Sequence, residues 1–219
     1  FGDEATRNTL VPMGLGGSGG GQVRINSRHV EIDGEISADG LTPDRRFDDG
    51  AGGGAGGSIW IQCEEIYGHG QMTANGANGG AGTVAGGGGA GGRISVECDN
   101  INKLNVTMQA FGGTSPMESG GAGTVFVISG NTTKKLTVDN NGNPYPHAPD
   151  ISHGDLHNLL NGEYKDISSA GGVTWLYSEN SDYTFMDLNI AGNAHVAILS
   201  NTSSEIINIH VATFWGDRT

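Results

Sequence analysis

The sequence predicts an all-β protein: a right-handed parallel β-helix, or β-solenoid, with a glycine-rich layer, followed by a second β-rich segment. Three observations carry that prediction. A short strand pattern recurs at residues 22, 58, 93 and 124, spacings of 36, 35 and 31, or about 35 residues per coil. A second strand inside each unit ends in a turn of the form Ala-x-Gly. Glycine tracts occupy the same place between units, and glycine makes up 40 of the 219 residues.

Residues 1–21 lead in with Thr9-Leu10-Val11-Pro12-Met13 and a glycine run. The recurring strand then reads Gln22-Val23-Arg24-Ile25, Ser58-Ile59-Trp60-Ile61, Arg93-Ile94-Ser95-Val96 and Thr124-Val125-Phe126-Val127. Its polar–apolar alternation is that of a strand with one buried face. The second strand reads Glu35-Ile36-Ser37-Ala38, Gln71-Met72-Thr73-Ala74 and Val106-Thr107-Met108-Gln109-Ala110, with the alanines 36 residues apart in both intervals. In the fourth unit Leu136-Thr137-Val138 stands in that place, without the alanine.

Flexible linkers would not keep strand register through successive units. The glycine tracts therefore predict close backbone packing in extended or polyproline II-like form. Units that repeat strand, turn, strand and glycine segment in one order stack most simply as coils, with about 4.8 Å between neighbouring strands. An antiparallel sandwich of hairpins is the competing all-β arrangement, but it gives no reason for the period. Stacking would set Cys63 beside Cys98, since each lies four residues beyond Ile59 and Ile94 respectively. The pair then forms either a disulfide or two buried thiols acting as small apolar groups.

Three prolines between Asp139 and Pro149 mark a change of composition, and glycine tracts stop there. Asp155-Leu156-His157-Asn158-Leu159-Leu160 is the one helical stretch. Strand patterns resume at Val173, Tyr183, Ala194 and Glu205. The expected organisation is a glycine-rich region over residues 1–143, a connecting loop over 144–171, and a second solenoid-like segment over 172–219.

A formal charge of −13 and a pI near 4.7 oppose binding to nucleic acid or to anionic membranes. No apolar run reaches the roughly 20 residues that span a bilayer as a helix. Phe1 is not an initiator methionine, and the chain reads as a piece of something longer. Asn105, Asn131 and Asn201 each open an Asn-x-Ser/Thr sequon, a match that eukaryotic secretion would use and that chance also supplies.

The chemistry-bearing residues are sparse. Asp44, Asp48 and Asp49, in Asp44-Arg45-Arg46-Phe47-Asp48-Asp49, are the candidate calcium ligands, completed by backbone carbonyls; the alternative is a solvated loop. His147, His153 and His157 cluster without an HExxH pattern, and the structural role is the better reading. His195 and His210 alternate with apolar residues and read as strand side chains. No glycine run ends in Gly-Lys-Ser/Thr, which argues against a phosphate loop. Trp60 and Phe126 share an outward row that could carry a sugar or pack against a neighbouring layer.

At Gly56-Gly57-Ser58-Ile59-Trp60-Ile61, Gly70-Gln71-Met72-Thr73-Ala74-Asn75-Gly76 and the tract ending Gly91-Gly92-Arg93-Ile94, the chain resembles the glycine-rich repeat regions of very large secreted or cell-surface eukaryotic proteins, protist flagellar-hair (mastigoneme-like) and extracellular-matrix proteins among them. The resemblance implies an extracellular, non-enzymatic module that self-assembles or joins neighbouring domains into a filament or coat. No cofactor other than calcium is expected. A glycan-binding adhesin and a polysaccharide lyase-like enzyme are the alternatives.

Overall fold

The computed structural model describes residues 15–43, 50–81, 85–130, 133–143, 173–177, 182–199 and 208–216. Twelve strands, and no helix, form from these residues. β1 (Gln22–Glu31), β3 (Ser58–Gly68), β5 (Arg93–Leu104), β7 (Thr124–Ser129), β8 (Thr133–Asp139), β10 (Asp182–Ala191) and β12 (Asn208–Gly216) make one seven-stranded sheet in that order. β2 (Glu35–Ser37), β4 (Gln71–Thr73) and β6 (Thr107–Gln109) make a small parallel sheet, and β9 (Val173–Tyr177) with β11 (His195–Leu199) a third.

The first four strands of the large sheet are parallel and in the register that the repeat dictates. Val23 pairs with Ile59, Ile59 with Ile94, and Ile94 with Val125. Alternation puts these residues, with Ile25, Ile61, Val96 and Val127, on one face. There they meet Met72 and Ala74 from the small sheet in a common core. Ile59, Ile61, Met72 and Val96 lose all contact with water, worth about 1.5–3 kcal/mol for each such large side chain.

The glycine segments form a third layer. Gly17 and Gly20 donate to the carbonyls of Gly52 and Ala55, Gly53 and Gly56 to those of Gly87 and Ala90, and Gly88 and Gly91 to those of Glu118 and Gly121. The donors lie three residues apart, the period of a polyproline II helix. The next N–H groups along, on Gly54 and Gly57, turn to a different neighbour and donate to Leu41 and Ala38. One glycine segment thus bonds several others at once. Gly89 shows why no side chain fits: a Cβ there would sit 2.1 Å from the carbonyl oxygen of Gly54. Close approach, rather than an unusual φ, sets the requirement.

A regular right-handed parallel β-helix with a separate second segment is not what these residues form. The large sheet is mixed, because β7 and β8 pair antiparallel. It also continues past the glycine-rich region, through β10 and β12, which run parallel to β8. The expected short fourth-unit strand, Leu136-Thr137-Val138, lies in the large sheet instead of the small one. The physical cause is a tight turn: β7 stops after six residues, where β1, β3 and β5 run for 10, 11 and 12. The chain reverses at Gly130, whose φ of +55° favours glycine.

The reversal moves the core to the other side of the sheet. Val125 and Val127 face the first core, whereas Phe126 between them faces a second one built on Leu136, Val138, Leu188 and Ala122. Leu176 and Val196, from the β9–β11 sheet, pack on that second core. The helix expected at residues 155–160 and the loop of residues 144–171 lie outside the described residues.

Candidate assembly edges

Among the described residues the large sheet ends in two edge strands, and they differ in chemistry. Among the described residues β1 pairs only with β3, and β12 only with β10. In an isolated sheet such an edge offers a row of unpaired N–H and C=O groups to another strand. β1 carries Arg24, Arg28, His29 and Glu31 in its ten residues. Arg28 reaches Glu64 of β3 at 3.3 Å, and both side chains stay largely in water, so the pair contributes little to stability. β12 reads Asn-Ile-His-Val-Ala-Thr-Phe-Trp-Gly and holds no charged side chain.

Burial along the ladders shows what each edge leaves uncovered. Val23 and Ile25 on β1 are only half-buried, although Ile59 and Ile61 beside them are sealed. Leu15 and Leu41 are exposed near the same end. At the other edge Leu136, Leu188 and Phe214 stand in one register row, with 5%, 7% and 62% of their surface exposed. Trp215 is 63% exposed on the opposite face of β12, whereas Ile209, 40% exposed, pairs with Tyr183, which stacks on Phe185 beside the second core.

Side-chain ladders bind the stack between its edges. Asp39 accepts the backbone N–H of Asn75, Asn75 accepts that of Phe111, and Asn78 that of Thr114. Asn140 is buried and serves the glycine layer with both ends of its amide, accepting from Gly112 N–H at 2.8 Å and donating to Gly120 O at 3.2 Å. Cys63 and Cys98 are joined in a disulfide between β3 and β5, with Cα atoms 4.5 Å apart. Ser27 and Ser129 occupy the same row on β1 and β7.

The outward row is engaged within the protein. The Arg24 guanidinium lies 4.0 Å from the centre of the Trp60 ring and covers one face of it. The Trp60 indole N–H donates to Glu97 Oε1 at 3.2 Å, and Gln62 and Ser95 bond the same carboxylate. Phe126 meets Phe185 edge to face, with centroids 6.4 Å apart. The two aromatics therefore do not form a common open platform.

Tyr67 donates to Glu31 at 3.5 Å, and negative charge on Glu31, followed by loss of water and the charges of Glu65 and Asp33, raises its pKa above 10.0. Asn105 is exposed in the turn between β5 and β6, with its backbone N–H on Gly68 O. His195 and His210 are exposed on β11 and β12. Asp44, Asp48 and Asp49, the sequon residues Asn131 and Asn201, and the histidines His147, His153 and His157 lie outside the described residues. A shallow groove of about 490 Å³ runs between Lys134, Thr184, Phe185, Met186 and His210. Among the described residues no three His, Cys, Asp or Glu side chains are placed to hold a metal ion.

The sequence led to exposed ends of the stack as assembling surfaces but not to β1 and β12 as the strands that form them, which is a property of strand order. A signal was present in β12, whose nine residues lack any charge in a chain of net charge −13. Comparison of the chain with protein-family models, with curated proteins and with solved structures finds no match.

Proposed function

We propose that this chain is a non-enzymatic structural module of a secreted or cell-surface protein, which assembles through its sheet edges into an extracellular filament or coat. The observation that carries the proposal is the contrast, among the described residues, between a closely bonded interior and two edge strands on which the ladders stop with apolar rows uncovered. A sheet that ends in this way extends by strand addition, which satisfies backbone groups and covers the row in a single step.

The interior suits a structural role. Its units are tied by backbone ladders, by Asx side chains that reach across units and by one disulfide. Disulfides persist in oxidising compartments, which supports the extracellular assignment. Electron microscopy of the full chain at increasing concentration tests the proposal. Filaments or ordered sheets are expected, and particles of single-chain size at every concentration would remove it.

A further inference from the structure

We propose that the glycine layer is a closed block: Ser18 and Ser37 end it at the first unit, and a further glycine segment of the same kind cannot add there. The inference goes beyond the assembly reading and does not rest on it. Its consequence for assembly is an exclusion, since any strand added to β1 must come without a glycine segment in this register.

The backbone bonds hold the glycine segments in register, so that Ser18, Gly54, Gly89 and Gly120 form one row and Gly21, Gly57, Gly92 and Gly123 another. Along each row the missing side chain points at the unit before. A Cβ on Gly54 would overlap the carbonyl oxygen of Ser18, one on Gly89 that of Gly54, and one on Gly120 that of Gly89. The second row repeats the pattern, with Gly57 against Gly21, Gly92 against Gly57 and Gly123 against Gly92. The first member of a row escapes this rule. A Cβ on Gly21 would meet nothing within 4 Å among the described residues, and Ser18 carries an actual side chain, which is exposed. Its Cβ takes the place where the carbonyl oxygen of an added segment would have to lie. Backbone fixes a Cβ, so no change of rotamer clears the way.

Ser37 closes a second row of the same unit. Between units an Asx side chain accepts the N–H of the next unit, Asp39 from Asn75 and Asn75 from Phe111. The N–H of Asp39 comes first in that row, and Ser37 of its own unit accepts it at 3.3 Å. The far end is finished in the same manner. Gly40 donates to Asn75 O and Gly76 to Phe111 O, whereas the N–H of Gly112, third in that row, goes to the Asn140 side chain. At both ends a side chain stands in for a further unit and satisfies the backbone group that such a unit would have bonded.

Unit duplication in the full chain tests the closure. A copy of residues 50–84 carries one glycine segment and both strands of its unit, with the copied Cys63 changed to Ser so that Cys63–Cys98 is kept. Inserted ahead of Gly50, the copy sets glycine rows against backbone on both sides, and its Gly53 and Gly56 N–H groups should exchange as slowly as the originals. Inserted ahead of Gly14, it meets Ser18, and the same two amides should exchange roughly 10–100-fold faster, the span of an overpacking cost. Ser18→Gly in that second chain should restore slow exchange. Equal exchange with and without Ser18→Gly, whether slow or fast, would overturn the proposal. Point substitutions read the same geometry without an insertion. Ser18→Val should leave the melting temperature unchanged and Gly54→Val should lower it, and a destabilising Ser18→Val would overturn the closure by showing the first segment covered. Filaments in which the glycine segments of adjacent copies stack would also overturn it while keeping the assembly reading. Particles of single-chain size, with exchange as expected in the three chains, would sustain the closure and remove the assembly reading.

Discussion

Phe126 of β7 stands opposite Leu136 of β8, and this antiparallel pair is where the apolar core crosses from one face of the large sheet to the other. Cross-strand partners share a face. Phe126 therefore belongs with Leu136 and Leu188, whereas its chain neighbours Val125 and Val127 belong with Ile94 and Val96.

Phe126→Ala should loosen the second core selectively. Truncation of a fully buried Phe costs about 3–5 kcal/mol, and the half-buried Phe126 should cost less, about 1–3 kcal/mol. Hydrogen exchange reads the result: amides of β8 and β10 should lose protection while those of β3 and β5 keep theirs. Equal loss in both regions would show that the two cores do not open separately.

Glycine positions should divide sharply by what a methyl group would meet. Gly89→Ala drives a Cβ to 2.1 Å from Gly54 O, a backbone atom with little freedom to retreat. Gly21→Ala meets nothing within 4 Å. The first should cost at least about 1–3 kcal/mol, the range for overpacking a tight interior. The second should be neutral or slightly stabilising, since alanine narrows the unfolded ensemble. Chemical denaturation of the two variants checks the difference.

Strand register was legible in the sequence because it depends on the period: residues 23, 59 and 94 fall in line once the units are aligned. The place of the glycine tracts was legible for the same reason. The reversal at Gly130 was not, because Leu136-Thr137-Val138 alternates equally well as a short strand of the small sheet or a long one of the large sheet. Only the length of β7 and the tight turn decide between them. Asn140 was hidden for a different reason. An Asn-Asn-Gly sequence reads as an ordinary turn, and nothing local shows that the first amide is buried against glycine backbone 20 and 28 residues away.

Asn140→Ala should cost about 1–3 kcal/mol, the penalty for leaving buried backbone groups unsatisfied. Gly112 N–H loses its acceptor and Gly120 C=O one donor. Asn140→Asp is the sharper test. It preserves the acceptor for Gly112 and removes the donor to Gly120, while adding charge to a buried site. Its stability should approach that of the unsubstituted protein only at acidic pH, where the protonated carboxyl can donate. Thermal melts at neutral and acidic pH, referenced to the unsubstituted protein at each pH, check this.

Tyr67 should ionise above 10.0, chiefly because of the Glu31 carboxylate. A raised folded-state pKa means that the neutral phenol is favoured in the native protein. The associated stability is fully present below the unfolded value and is lost as pH rises through the folded one. Glu31→Gln should shift one phenolate transition downward in a spectroscopic pH titration and leave the other tyrosines unmoved. A transition indifferent to Glu31→Gln would place the cause elsewhere.

Cys63–Cys98 closes a loop across 35 residues of sequence, between two strands already in register. Loop-entropy reasoning assigns a cross-link of that span about 3–4 kcal/mol, acting mainly on the unfolded chain. The double variant Cys63→Ser/Cys98→Ser should keep the fold, because Ser27 and Ser129 already occupy the same row on adjacent strands. It should nevertheless melt well below the oxidised protein. Reduction of the unsubstituted chain should give a comparable loss, whereas a reductant should leave the double variant unchanged. If reduced and oxidised chains melt together, the backbone ladders and glycine layer alone hold the first core.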